Sequence, residues 1–136
     1  VTLQVHTARI NIKDPDRLDI TRKSGTEGLF LAPSWNILGP ALLARKSGTP
    51  DIEWWGFYVR AYLLEMRDSY RKEREKWEAL LARPRVVICC YCNHPEHCHR
   101  HLLRTRIFPK LGAIDCGEIP VVGKAEPREG VEFARD

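Results

Sequence analysis

The stretch RVVICCYC, residues 85–92, is apolar from Val86 onward and β-branched at its start. A strand of that kind has no polar face to offer water, so it reads as buried on both sides, the habit of parallel sheets covered by helices. No apolar run in the chain approaches the roughly 20 residues that a membrane-crossing helix needs.

The flanking sequence supplies the cover. TPDIEWWGFYVRAYLLEMRDSYRKEREKWEALLARP predicts one long helix over about 50–82. Thr49 is the expected N-cap, Pro50 suits the first helical position, and Asp51 and Glu53 suit the positive end of the dipole. Trp54, Tyr58, Ala61, Tyr62 or Met66, Ser69, Trp77 and Leu80 share one face, and Pro84 stops the helix. So long a helix would break most easily near Ser69–Tyr70. After the central strand, NHPEH reads as a loop, and CHRHLLRTRIFPKLG as a helix turning Leu102, Leu103, Ile107 and Leu111 toward the sheet.

Upstream, Val1 to Ile10 alternates as a strand, KDPDR turns, and RLDIT is a short second strand. RKSGTEG is a loop, and APSWNILGPALLARKSG holds a short helix interrupted near Gly39–Pro40. CGEIPVV is the expected last strand, and residues 123–136 form a tail. The alternation predicts a single α/β domain over 1–122: a layered fold with a mainly parallel sheet flanked by helices. In such sheets ligands sit beyond the carboxyl ends of the strands. Here that place is the Cys92–Cys98 loop, with Thr21–Gly25 beside it.

Four of the five cysteines and four of the five histidines lie between Val86 and Arg104. Adjacent Cys89 and Cys90 point to opposite strand faces and make a poor disulfide framework. The cysteines therefore indicate a reducing, cytoplasmic setting. The opening VTLQVHTARI lacks the apolar core of a signal peptide, and no membrane association is expected. The net charge of +4 is mild, but Arg100, Arg104, Arg106 and Lys110 form a local basic run without acids. Arginine outnumbers lysine, and there is a single Met, which has a thermophile flavour.

Zinc is the first reading of so dense a cluster, drawing ligands from Cys89, Cys90, Cys92, His94, His97, Cys98, His99 and His101. The spacing argues against it: structural zinc takes well-separated ligand pairs, and no second knuckle exists beyond Cys116. No metal and no cofactor are expected. Cys89 and Cys90 read as core packing, and His94 and His97 as exposed loop residues. Cys92 ends the strand. Cys98, His99 and Arg100 open the helix, where backbone N–H groups and a guanidinium can lower a thiol pKa or hold an anion.

The segments DITRKSG, LAPSW, MRDSY and CYC…CHR occur in this order, and the set resembles the family catalogued as domain of unknown function 488, in its stand-alone bacterial and phage type. The resemblance runs from Val5 to Glu118. It implies a Rossmann-like fold and a site built from the Arg22 loop, Cys92, Cys98, His99 and Arg100, lined by Trp35 and Tyr70.

Three functions follow as expectations. In the first, Arg22, Lys23, Ser24 and Arg100 bind the phosphate of a nucleotide or nucleic acid, with Cys98 or Cys92 as the thiol and His99 as proton carrier. The second is a non-catalytic, phage-type regulator in the host cytoplasm that binds a host protein such as RNA polymerase and alters transcription. The third is a zinc-stabilised binding module.

Overall fold

The structure is a computed structural model that describes residues 2–120. Among the described residues there are four strands: β1 (Gln4–Arg9), β2 (Arg17–Asp19), β3 (Arg85–Cys90) and β4 (Ile114–Glu118). Their order is β2-β3-β1-β4, and every neighbouring pair is parallel. Parallel neighbours cannot be joined by tight hairpins, so helical crossovers connect β2 to β3 and β3 to β4. The first carries α1 (Trp35–Lys46), α2 (Asp51–Lys72) and α3 (Arg74–Leu81); the second carries α4 (His99–Leu102) and the turns after it. The α/β prediction holds. The predicted tail and the end of the CGEIPVV strand lie outside the described residues. Among the described residues no helix is long and apolar enough to cross a membrane.

β3 lies between β2 and β1, with Val86 to Cys90 all buried. The register pairs Val5 with Val86 and Thr7 with Ile88, so Val5, Val86, Ile88 and Cys90 share one face. That face packs with Tyr62, Met66, Trp77 and Phe108 from the crossovers into the main core. Val87 and Cys89 point the other way, and Cys89 Sγ lies 3.5 Å from the Leu18 carbonyl.

Several expectations are corrected. The helix over 50–82 is two helices, parted at Glu73 (φ −116°, ψ 36°) rather than near Ser69. Residues 71–76 are all charged, so no apolar contact holds the helix straight there. The bend is set instead by Trp77, fully buried against Phe30, Tyr70 and Phe108, with its indole N–H donated to Ser69 Oγ at 3.0 Å. Pro50, not Thr49, is the N-cap residue of α2. Helix α1 runs through Pro40 without interruption. Asn36, whose carbonyl loses its i+4 donor there, is exposed to water, which limits the cost.

The helix expected after Cys98 is α-helical only over His99–Leu102. It continues as a π turn over Leu103–Ile107 and a 3-10 turn over Phe108–Leu111, and ends at Gly112 with φ +93°. Pro109 has no N–H to give the Thr105 carbonyl, so a regular α-helix cannot continue through it. One α turn also has little macrodipole, which weakens the expectation that a helix end tunes Cys98.

Candidate functional site

A cleft of about 390 Å³ opens at the carboxyl ends of β2 and β3. Its floor is Cys90, Cys92, Cys98 and His99. β3 ends at Cys90 rather than at Cys92 as expected; Cys92 follows in the loop, and the Pro95–His97 turn returns the chain so that Cys98 meets both. The three Sγ atoms lie within 4.8 Å of one another, and Cys90 Sγ is 2.9 Å from Cys98 Sγ. They are the residues placed to hold a soft metal ion. Cys90, buried in the core as expected, thus also belongs to the site.

Three sulfurs this close, two of them buried, cannot all ionise. The negative charge settles on Cys92, whose thiol is held well below its ordinary range. The neighbouring Cys90 and Cys98 thiols are the main cause, and the Arg45 guanidinium, 3.3 Å away, adds to them. Cys90 is pushed up to about 11, first by its bond to Cys92. Cys98 is raised well above its ordinary value by burial and by the same neighbours.

Arg100 is fully buried and turned inward. Its Nε and Nη2 donate to Glu118 at 3.1 and 2.8 Å, and Nη1 donates to the Cys92 carbonyl at 2.9 Å and Cys90 Sγ at 3.0 Å. It therefore backs the sulfur cluster instead of lining the cleft. Burial opposes ionisation of Glu118, yet the bonds from Arg100 bring its carboxyl below the ordinary value. His99 is also buried. Its Nε2–H donates to the Ile20 carbonyl at 2.9 Å, which leaves the Nδ1 lone pair 3.6 Å from Cys98 Sγ. Burial lowers its pKa and keeps the ring neutral.

The loop after β2 forms the opposite wall. Asp19 accepts bonds from the Thr21 hydroxyl at 2.7 Å and the Thr21 backbone N–H at 2.9 Å, and Ser24 Oγ–H donates to its other oxygen. A Cβ at Gly28 would meet the Asp19 carbonyl, so this close wrapping needs glycine there. Arg22 lies in the cleft wall, anchored to the Pro33 and Ala32 carbonyls at 2.9 and 3.1 Å. Lys23 Nζ sits 5.6 Å from the Tyr91 ring centre, and Ser24 Oγ meets Tyr91 Oη at 2.9 Å. Trp35 is at the cleft, as expected, but Tyr70 is not: it packs on Trp77 and Arg74 elsewhere.

Reading the sequence missed Arg45, Trp54, Tyr58, His97 and Glu118. Arg45 reaches across to Cys92 and the His97 carbonyl while its guanidinium lies 4.9 Å from the Trp54 ring centre. His97 Nδ1 is 2.8 Å from Asp51, and its ring packs edge-on against Trp55. No local pattern marks these partners.

Residues 29–109 match the family model described as "Active DUF488-N3 subclade", a span of more than half the chain. It contains the whole sulfur cluster with Arg45, His99 and Arg100. This chain belongs to the DUF488 family. The matched span begins after the Thr21–Ser24 loop and stops before Glu118, so one cleft wall and the partner of Arg100 lie outside it. Neither the curated proteins nor the solved structures include a match to this DUF488 protein.

Proposed function

We propose that this DUF488 protein binds a phosphate-bearing ligand, a nucleotide or a nucleic-acid segment, in the cleft and acts on it through the sulfur cluster. The observation that carries this reading is one cleft that combines Arg22, Lys23 and Arg45 with the rings of Trp35, Trp54 and Tyr58 above a charged sulfur. Cations take phosphate oxygens, and aromatic faces take bases. No acidic side chain lines the cleft among the described residues, which favours an anion. Cys92 is the nucleophilic sulfur in this reading; Cys98 and the neutral His99, through Nδ1, pass the proton. The description of the matched subclade as active supports an enzymic role.

Calorimetric titration with nucleotides and short single-stranded DNA and RNA tests it. Lys23→Ala should weaken binding about tenfold, the equivalent of one charged hydrogen bond of about 1.5 kcal/mol. No binding by any of these ligands, or binding indifferent to Lys23→Ala and Trp35→Ala, sinks the proposal. A second reading, a regulator that docks on a partner protein such as RNA polymerase, draws support from Trp35, Leu42 and Leu43 on α1 and Ile52 and Phe57 on α2, all exposed. A stoichiometric partner captured equally well by the Cys98→Ser variant would favour it.

A further inference from the structure

We propose that Cys90, Cys92 and Cys98 form a three-thiolate site for a thiophilic divalent cation, zinc above all, with its fourth coordination position facing the cleft. The ligand set differs from the knuckle pairs considered in the sequence. It comes from one strand end and one returning turn, which bring three sulfurs to a common point.

Geometry comes first. Zn–S bonds of about 2.3 Å in a tetrahedron put neighbouring sulfurs about 3.8 Å apart. The trio spans 2.9 Å between Cys90 and Cys98 up to a limit of 4.8 Å, bracketing that value. Cys90 and Cys98 need to part by about 1 Å to admit the ion. Soft sulfur ligands select zinc over magnesium or calcium.

Charge is the second argument. Three thiolates around a divalent ion leave one excess negative charge in a buried place. Two guanidinium groups already donate to the sulfurs, Arg100 Nη1 to Cys90 at 3.0 Å and Arg45 Nη1 to Cys92 at 3.3 Å. The charge of Arg100 is met by Glu118, so Arg45 supplies the remaining compensation. Such outer donors orient metal-bound sulfurs and set their basicity.

Access is the third. Cys90 and Cys98 are buried, whereas Cys92 is half-buried, and all three line the cleft. An ion among them would keep three protein ligands and one position open to water or to a bound molecule, the arrangement of catalytic rather than structural zinc. With the ion bound, Cys92 and Cys98 are its ligands, so the free-thiol roles proposed above belong to the metal-free protein; metal binding and nucleotide binding are read out separately, and either can fail alone.

Elemental analysis of the full chain, purified under reducing conditions with zinc present, should find about one zinc per chain. Replacement by cobalt should give a sulfur-to-cobalt charge-transfer band and the visible bands of a tetrahedral centre. Cys92→Ser should diminish that charge-transfer band. Arg45→Ala, which leaves all three sulfurs in place, should lower zinc affinity by about tenfold. Cys116→Ser, outside the trio and exposed, should change nothing. Metal-free protein with all five thiols titratable, a Cys90–Cys98 disulfide in its place, or a cobalt spectrum indifferent to Cys92→Ser would each overturn the proposal.

Discussion

Arg45 and Cys92 are 47 residues apart in the chain, yet Nη1 of the arginine lies 3.3 Å from Sγ of the cysteine. A cation from α1 thus completes a sulfur cluster built at the end of β3. In metal-free protein, Cys92 should be alkylated by iodoacetamide even at pH 6, because its thiol is held as thiolate by Cys90, Cys98 and Arg45. Arg45→Ala should move the acid fall in that reaction upward by about one pH unit, the loss of a charged hydrogen bond of about 1.5 kcal/mol. Peptide mapping by mass spectrometry across a pH series reads the rate; an unmoved profile would refute the role of Arg45.

Arg100 and Glu118 form a second long-range pair, closed by two parallel bonds with the guanidinium fully buried. Removing one member of such a pair strands the other. Glu118→Ala should cost about 3 kcal/mol, the low end of the range for buried pairs, since its side chain is 24% exposed. Urea unfolding measures it, and a cost well under 1 kcal/mol would show that the pair is not a structural clamp.

Trp77 joins α3 to three other aromatic rings and is fully buried. Trp77→Ala should destabilise by about 3–5 kcal/mol through lost burial and the cavity left behind. Tyr62→Phe should cost only about 1 kcal/mol, because it removes one hydroxyl bond of 2.7 Å to the buried Leu31 carbonyl. Thermal or urea unfolding of the two variants should rank them in that order.

Stability should fall steadily from pH 8 to pH 4. His99 stays neutral in the fold because burial lowers its pKa, whereas the unfolded residue takes a proton near pH 6.5. Below that value the unfolded chain binds more protons, which favours unfolding. Cys92 acts in the same direction from about pH 8.5 downward, and Glu118 below about pH 4.3, each being held low in the fold. His99→Asn should flatten the part of the decline that begins near pH 6.5. It would not abolish it, because His6 and His101 are also lowered by burial. A urea midpoint that rises between pH 7 and pH 5.5 would contradict the neutral, buried His99.

The layered α/β fold was legible because its signals are local. An apolar β-branched run needs cover on both faces, and the alternating Val1–Ile10 stretch and the stripe of Trp54, Tyr58 and Trp77 provide a neighbouring strand and a covering helix. The cleft was legible in outline for a similar reason: strand ends and the loops after them are positions in the sequence, so Thr21–Ser24 and Cys92–Cys98 could be set side by side. The interruptions were not legible. Glu73 bends a charged segment that carries no local breaker, and Pro40 fails to break a helix because the carbonyl it orphans meets water.

What the sequence by itself determined is which residues could carry chemistry and which runs had to be buried. What only the tertiary structure decided is what each of those residues faces. Arg100 has an anion-binding side chain, but burial beside Glu118 commits it to the cluster. Cys90 is core, as its apolar strand foretells, but the return of the chain that sets Cys92 and Cys98 beside it also makes it one of three sulfurs. The physical reason is range. Backbone preferences and apolar periodicity act over a few residues. The charge on a thiol instead depends on groups within a few ångströms in space, and here those come from α1, β3, the Pro95–His97 turn and β4.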